Sequence, residues 1–425
     1  MKSEFTFNFE KCVGCGSCAA ACVLVNEPGV RPRSIVTLNK GISLPLPVMN
    51  LSIACNHCAE PACLKGCPAG AYHTDIETGA VIIDESKCLG CRYCQWNCPW
   101  DAPKYNEELR VIGKCNKCYT GLHEGLMPAC SDACPTGALG FGDPKEENEL
   151  PEWCPGNELK PSLSLSGERT VPLKVIPENI FHGNRSADRK ILRTGDWSLM
   201  TFSFLAVITV SLFGSSLVNG EYPSPYLILP ALACSLITSL FHLGKPFRAW
   251  RSVMNIRSSP LSREIALFLV FSVSSLFTFL IKSPSLALAS VISGLLALLA
   301  IDSVYIYSER KGLILHSGQA LLSGLLLISY LSGSKMPFLF ISLLKLSIII
   351  FTNGRNKPLQ QLRFIRAAIL VIIMSGTIIG FTGTDLLLTM LLISGEALDR
   401  FLFYADFRPE NIHTLIDNYL KKKIQ

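Results

Sequence analysis

The sequence predicts two parts of different fold class: an α+β, cysteine-rich domain, followed by an all-α polytopic membrane bundle of eight transmembrane helices. Two observations predict this division. Of the 18 cysteines, 16 lie between Cys12 and Cys134. After about residue 195 the chain consists of long apolar runs with charges only between them. The mean hydropathy of +0.35 over 425 residues is high for a soluble protein.

The 16 clustered cysteines fall into four quartets. The quartets that begin at Cys12 and Cys88 follow the pattern C-x2-C-x2-C-x3-C, and three of the four quartets end in Cys-Pro. In chain order they are Cys12, Cys15, Cys18 and Cys22; Cys55, Cys58, Cys63 and Cys67; Cys88, Cys91, Cys94 and Cys98; and Cys115, Cys118, Cys130 and Cys134.

Three kinds of cysteine site need to be compared. The N-terminus has neither an apolar secretory run nor a twin arginine, so we expect no export and no disulfide framework. Structural zinc sites usually join two separated Cys-x2-Cys hairpins. A compact run of four cysteines instead binds cubane clusters, with the fourth thiolate reaching a second cluster. We therefore predict [4Fe–4S] clusters, with zinc as the alternative.

Residues 5–142 resemble the four-cluster ferredoxin subunit of molybdopterin oxidoreductases, the electron-transfer subunit of the dimethyl sulfoxide reductase family. The resemblance implies a ferredoxin-like multi-cluster domain with four [4Fe–4S] clusters, in which quartets exchange their fourth ligands. The implied ligand sets are set A (Cys12, Cys15, Cys18, Cys134), set B (Cys22, Cys115, Cys118, Cys130), set C (Cys55, Cys58, Cys63, Cys98) and set D (Cys67, Cys88, Cys91, Cys94).

The sequence departs from the family pattern at one position and keeps it at another. Val23 follows Cys22, where proline is usual. Cys91 is present, where the related nitrate reductase subunit has tryptophan and a three-iron cluster. We therefore expect four irons in every cluster.

The segments between the quartets are short and contain small strands such as Ala80–Asp84. Arg92, Lys114 and Lys117 lie close to the quartets in sequence. We expect them to face solvent or a partner, with charge tuning of the cluster potentials as the alternative. His57 is predicted to be an ordinary loop residue.

Eight apolar stretches follow a Pro-, Glu- and Ser-rich segment, and most are near the length that spans a bilayer as a helix. They are predicted at 197–218, 224–244, 263–281, 285–308, 317–333, 337–352, 364–381 and 385–404. An apolar globular core is the alternative. The predicted organisation is a cluster domain at 1–145, a linker or docking segment at 146–196, a membrane anchor at 197–407 and a basic tail at 408–425.

The charges between the apolar stretches predict orientation. The connections on the side of the cluster domain carry about 20 Lys and Arg residues, whereas those on the opposite side carry two, Lys282 and Lys335. The positive-inside rule then places the cluster domain and both termini in the cytoplasm, at a bacterial-type inner membrane. The net charge of +6 thus reflects membrane orientation, and we expect no nucleic-acid partner.

The apolar half resembles the eight-helix anchor subunit of dimethyl sulfoxide reductases, on Phe241–Ile265 and Gly395–Tyr404. The resemblance associates His242 and Glu264 with menaquinol binding, and histidine can accept a proton at neutral pH. The alternatives are an interfacial hydrogen-bonding histidine and a first-turn glutamate favoured by the helix dipole. In the best-known family members the ferredoxin subunit is exported, whereas the charges here predict a cytoplasmic side.

Ionisable residues also occur inside the apolar stretches. Lys345 and Glu396 are predicted to form a structural ion pair, with a proton relay as the alternative. A b-type haem needs paired histidines within helices, but His242 and His316 lie at or beyond helix ends. We therefore expect no haem.

Together these features predict an electron-transfer and membrane-anchor protein, a fusion of two normally separate subunits. It would oxidise menaquinol or ubiquinol from the membrane quinone pool and pass electrons through four clusters to a catalytic subunit carrying molybdopterin. Electrons could also flow in reverse. One alternative is a quinone-coupled module that serves a soluble ferredoxin or a hydrogenase-like assembly. Another, of a different class, is a transporter or sensor with a metal-binding input domain.

Overall fold

The computed structural model describes residues 3–26, 29–38, 49–143, 150, 154, 156–167, 197–309, 316–352, 359–380, 385–407, 409 and 411–412. The chain forms two compact units. The first unit contains Met1–Asp188, Gly244–Ser259 and Pro409–Gln425, and the second contains Arg189–Leu243 and Pro260–Arg408. Most of the predicted linker and tail, with their basic residues, lies outside the described residues. The first unit includes Gly244–Ser259, which the sequence assigned to the anchor.

A three-stranded sheet joins the two ends of the cysteine-rich region. Strand β1 (Glu4–Asn8) pairs antiparallel with β8 (Leu139–Gly142) and parallel with β9 (Leu163–Ser166). Alternation along β1 buries Phe5 and Phe7 in the core of this unit. The pairing brings the first quartet, which follows β1, close to the last quartet, which precedes β8.

In its described ranges, the first unit also contains three antiparallel hairpins and five short α-helices. The hairpins are β2 (Ser34–Leu38) with β3 (Met49–Ile53), β4 (Tyr72–Thr74) with β5 (Val81–Ile83), and β6 (Lys104–Asn106) with β7 (Val111–Gly113). The helices are α1 (Ser17–Asn26), α2 (Ala62–Gly66), α3 (Tyr93–Asn97), α4 (Tyr119–His123) and α5 (Ala129–Asp132). Strand β5 confirms the strand predicted at 80–84. Helix α1 packs on α5 and α2 packs on α3.

In its described residues, the second unit is built from eight helices, one in each predicted apolar stretch. They are α6 (Trp197–Val218), α7 (Pro225–Phe241), α8 (Pro260–Ile281), α9 (Pro284–Glu309), α10 (Ala320–Leu331), α11 (Lys335–Thr352), α12 (Gln360–Ile379) and α13 (Leu386–Asp406). Helices α6, α8, α9 and α12 are long and apolar enough to cross a membrane. Counting α7 with the 3-10 helix Pro246–Val253 as one broken span gives a fifth. The chain therefore has a helical, multi-pass membrane region, and its eight spans remain a prediction.

Small residues allow the helices of the second unit to approach closely, as is common in membrane bundles. A Cβ added to Gly294 would lie about 3.0 Å from side-chain atoms of Phe271 and Val210. A Cβ added to Gly395 would lie 3.0 Å from Nη1 of Arg366. Gly395 thus lets α13 contact α12 where both helices carry buried charges.

Candidate functional site

Sets A and B each combine cysteines from the first and last quartets. Cys12 has Cys15, Cys18 and Cys134 as its charged neighbours, as set A requires. The four cysteines of set A line a cavity with about 310 Å³ of empty space. Cys22 has Cys118 and Cys130 as neighbours, as set B requires. The pairing of β1 with β8 and the packing of α1 on α5 bring these two quartets together.

Sets C and D combine the two inner quartets in the same way. Cys58 has Cys55, Cys63 and Cys98 as its charged neighbours, and these four line a cavity with about 350 Å³ of empty space. In set D, Cys94 has Cys67, Cys88 and Cys91 as its neighbours. The packing of α2 on α3 brings the two inner quartets together. Each fourth cysteine therefore lies with the first three of another quartet.

The sets fit cubane clusters better than single ions. Within the ranges that the structure describes, no three His, Cys, Asp or Glu side chains are arranged to hold one metal ion. In sets A and C, four thiols instead surround a cavity. A [4Fe–4S] cluster needs one thiolate for each of its four irons, so four thiols around a cavity suit it.

Backbone amides support the negative charge that thiolate ligands carry. The amides of Gly90 and Ile112 donate to Sγ of Cys88 at 3.4 and 3.5 Å. The amide of Leu139 donates to Sγ of Cys134 at 3.4 Å. Such hydrogen bonds stabilise a thiolate and contribute to the potential of a bound cluster.

Burial has the opposite effect on the free thiols. It raises the pKa of Cys91 and of Cys115 to about 12, and that of Cys22 to about 11. These thiols are therefore protonated at neutral pH before loading. Because ligands bind iron as thiolates, cluster binding must release protons.

Two of the three basic side chains named above differ from the sequence prediction. Lys114 and Lys117 are only 8% and 1% exposed, so the expectation that they face solvent or a partner is wrong. Arg92 is half-buried, with its guanidinium over the ring of Tyr105 at 3.8 Å.

Two further buried groups lie among the cluster sites. His57 accepts a hydrogen bond from the amide of Val81 at 3.0 Å, and its pKa lies well below the ordinary value because burial disfavours the charged ring. Arg33, which sequence reasoning missed, is 4% exposed and donates to Oγ of Ser52 at 3.0 Å. That hydroxyl lies 3.4 Å from Sγ of Cys18. Nothing in the local sequence of Arg33 marks it as buried.

The connection Gly244–Ser259 packs on the ligand loops of set D. Arg248 donates through Nη1 to the carbonyl of Cys88 at 2.9 Å. Asn255 donates through Nδ2 to the carbonyl of Cys67 at 2.8 Å. Arg248 thus contacts the cysteine-rich unit directly. Two ligands of one set are therefore held by the connection.

In the second unit, Glu264 is buried near the start of α8, at 3% exposure. Its charged neighbours include Arg400 and Asp302. Arg400 lies 3.7 Å from Asp302. His242 is the C-cap residue of α7 and is half-buried. The structure thus places charged residues around Glu264 and places His242 at the end of α7.

Two tyrosines extend the surroundings of Glu264. The hydroxyls of Tyr305 and Tyr404 lie 2.5 Å apart. Ser203 lies 3.2 Å from the hydroxyl of Tyr404 and accepts from Nε of Arg400 at 2.9 Å. We call Glu264, Asp302, Tyr305, Arg400 and Tyr404 the polar cluster. Of these five residues, sequence reasoning found only Glu264. Asp302 and Arg400 could have been found as well, because each is a charged residue inside a predicted apolar stretch.

A second group of buried charges lies on α11, α12 and α13. Lys345 is 2.6 Å from Glu396, which confirms the predicted pair. Two residues that the sequence did not suggest complete the group: Asp399 lies 3.2 Å from Lys345, and Arg366 pairs with both Glu396 and Asp399. We call these four residues the ion-pair cluster. Its two cations and two anions balance, which reduces the cost of burying charge in a membrane bundle.

These features define an iron–sulfur electron-transfer protein that carries its own helical membrane anchor. Family models match both parts of the sequence. Residues 5–22 match a 4Fe-4S binding domain, residues 47–144 a 4Fe-4S dicluster domain, and residues 222–347 the DMSO reductase anchor subunit.

Individual relatives match the cysteine-rich part. The B subunit of the anaerobic dimethyl sulfoxide reductase of Haemophilus influenzae is 40% identical over 148 residues, covering 32% of this protein and 72% of the relative. YnfG of Escherichia coli, a probable anaerobic dimethyl sulfoxide reductase subunit, is 41% identical over 153 residues, covering 34% and 74%. The thiosulfate reductase electron transfer subunit PhsB of Salmonella typhi is 35% identical over 158 residues, covering 35% and 80%.

The protein therefore belongs to the dimethyl sulfoxide reductase family, as an iron–sulfur electron-transfer subunit fused to an anchor domain. Both resemblances predicted from the sequence are confirmed.

Proposed function

We propose that this protein oxidises menaquinol or ubiquinol and passes the electrons through four [4Fe–4S] clusters, held by sets A to D, to a catalytic subunit that carries molybdopterin. One observation supports this proposal most directly. The connection Gly244–Ser259 bonds the backbone of Cys67 and Cys88 in set D. The chain then continues from Ser259 into α8, which carries Glu264. Set D is therefore the proposed first acceptor of electrons.

The residues of the protein have separate tasks in this function. A bound [4Fe–4S] cluster supplies one-electron chemistry. The thiolates hold it, and the amides of Gly90, Ile112 and Leu139 donate to sulfur and stabilise the added negative charge.

Quinol oxidation also releases two protons, and we assign one to Glu264. Glu264 is 3% exposed and has Arg400 as a charged neighbour, and a carboxyl group can accept and release a proton. Asp302 competes with Glu264 for Arg400, which keeps the carboxylate from being held permanently in a salt bridge. His242, at the end of α7, is the second candidate acceptor.

We further propose that all eight helices span the membrane, with the cluster domain and both termini in the cytoplasm. Three of the 20 basic residues counted on that side, Arg363, Arg366 and Arg400, are buried beside acidic partners and do not report orientation. The remaining 17 still outnumber the two on the opposite side.

The quinol step is tested on the purified full-length protein in liposomes, loaded with clusters under anaerobic conditions. Menadiol, a soluble naphthoquinol, should bleach the visible cluster absorbance of the natural protein. We expect Glu264→Gln to slow this reduction at least tenfold, because the amide cannot accept the proton, while dithionite reduces both proteins fully. Glu309→Gln, which removes a carboxylate at the end of α9, is the control. Equal menadiol rates in all three proteins would contradict the assignment of Glu264.

The partner is tested by co-purification from the native membrane. A stoichiometric large subunit that contains molybdenum is expected. A molybdenum-free partner would instead favour the quinone-coupled module for a soluble ferredoxin or a hydrogenase-like assembly.

A further inference from the structure

Lys114 is a buried lysine that directly precedes a quartet, and its ammonium group lies among acceptors. Its Nζ donates to Sγ of Cys55 at 3.6 Å, to the carbonyl of Cys115 at 2.8 Å, and to the carbonyl of Val81. The side chain is only 8% exposed. An ammonium has three N–H donors and no acceptor, so three acceptors satisfy it completely. The geometry therefore indicates that the Lys114 side chain is a positively charged ammonium.

The position of this charge relative to the ligand sets is specific. Cys55 belongs to set C, and Cys115 belongs to set B. Cys55, Cys63 and Cys115 are the ligand cysteines that act on the ammonium, and they become negative when they bind a cluster as thiolates. Lys114 thus stands between two neighbouring cluster sites, and its direct hydrogen bond to sulfur is on the side of set C.

A cluster gains one negative charge when it takes up an electron. A positive charge bonded to a ligand sulfur stabilises that reduced state, and the effect is strong where water is excluded. We propose that Lys114 is a potential-setting residue, whose ammonium group, bonded to Cys55 between sets C and B, raises the reduction potential of the set C cluster. The proposal rests on the iron–sulfur function of the protein and does not depend on quinol as the donor.

The sequence provides a matched control. Lysine precedes the first cysteine in three quartets, at Lys11, Lys87 and Lys114. Lys11 is exposed, and Lys87 is 44% exposed and paired with Asp84 at 2.8 Å. Lys87 therefore has the same charge and the same place beside a quartet as Lys114, but it faces solvent, where screening weakens its effect.

The test uses the full-length protein with all clusters, purified anaerobically in three variants: Lys114→Met, Lys114→Arg and Lys87→Met. Each protein is titrated with dithionite, and the midpoint potentials are followed by electron paramagnetic resonance. Iron content and thermal unfolding are recorded alongside.

In Lys114→Met we expect one cluster to become harder to reduce. Its ratio of reduced to oxidised form at a fixed potential should fall at least tenfold, which is about 59 mV for one electron. Lys114→Arg keeps the positive charge. At the same fixed potential, its ratio of reduced to oxidised cluster should lie within threefold of the ratio in the natural protein. Lys87→Met should leave all four midpoints unchanged.

Two results would overturn the proposal. One is unchanged midpoints in Lys114→Met at full iron content. The other is an equal shift of all four midpoints, which would indicate a general structural change. If Lys114→Met loses iron, Lys114→Gln replaces it, because the amide keeps two donors without the charge. The same selective shift is then expected, and its absence is equally decisive.

Discussion

Buried positive charge distinguishes the cluster sites at the scale of single residues. Lys114 donates to Cys55 of set C, and Arg33 lies beside sets A and B. The negative groups that act on the Arg33 guanidinium are Cys130, Cys115, Cys18 and Cys22. Both cations act on Cys115 of set B, but only Lys114 donates to a sulfur of set C and only Arg33 acts on Cys18 of set A. Their removal should therefore affect different groups of clusters.

We predict that Arg33→Gln lowers the midpoint potentials of the set A and set B clusters and leaves the set D midpoint unchanged. The guanidinium is always charged and is 4% exposed, so its loss removes an unscreened positive charge. A redox titration followed by electron paramagnetic resonance measures the effect. Arg31→Gln is the control, because Arg31 is exposed and two residues away. A shift confined to the set D cluster would show that Arg33 acts elsewhere.

Some features of the cluster sites could be predicted from the sequence, and others could not. Cysteine spacing predicted cubane clusters, and the resemblance to the four-cluster ferredoxin subunit implied the four ligand sets. Spacing could not show that Lys114 is buried while Lys11 and Lys87 are not, because each of the three lysines directly precedes the first cysteine of a quartet. The difference arises because β5, distant in sequence, supplies the Val81 carbonyl to Lys114. Long-range contacts of this kind leave no local signal.

At the scale of elements, helices α11, α12 and α13 are held together by the ion-pair cluster. Lys345 and Arg366 each contact both Glu396 and Asp399, and Ser323 on α10 accepts from Lys345 at 3.0 Å. The sequence predicted one pair because Lys345 and Glu396 are far from the ends of their apolar stretches. It missed Arg366, which was counted among the basic residues of the connection before α12. It also missed Asp399.

We predict that Lys345→Met destabilises the protein by about 3–5 kcal/mol, because it leaves two carboxylates sharing one cation in the bundle. Thermal unfolding in detergent measures the change. Lys335→Met, at the exposed start of the same helix, should have little effect. If Lys345→Met were as stable as the natural protein and transferred electrons at the same rate, both a structural pair and a proton relay would be contradicted.

The connection Gly244–Ser259 is the second element whose role emerges only in the structure. The sequence assigned this segment to the membrane anchor. Arg248 and Asn255 instead bond the backbone of set D ligands. Hydrophobic periodicity could not predict this, because these hydrogen bonds end on main-chain carbonyls that are distant in sequence.

We predict that Arg248→Ala slows the reduction of the clusters by menadiol while leaving their reduction by dithionite unchanged, because it loosens the connection on the set D loop. Stopped-flow absorbance measures both rates. Arg257→Ala, in the same connection, controls for the loss of one positive charge. Natural menadiol kinetics in Arg248→Ala would mean that this contact has no role in electron uptake.

At the scale of the whole molecule, the protein combines a cluster domain and an anchor, which separate family models match. The apolar stretches predicted all eight helices because their lengths and composition are typical of membrane segments. Four to five of them meet length and hydropathy criteria for spanning. The other three are α10, which has only 12 residues, α13, which carries buried charges, and α11.

The central claim is that one polypeptide holds four [4Fe–4S] clusters. Its most direct measurement is the iron, acid-labile sulfide and zinc content of the anaerobically purified full-length protein, combined with Mössbauer spectroscopy. The account predicts about sixteen irons and about sixteen sulfides per polypeptide, all in four-iron clusters. Stoichiometric zinc, or a reproducible content of about eight irons in a fully folded protein, would contradict it.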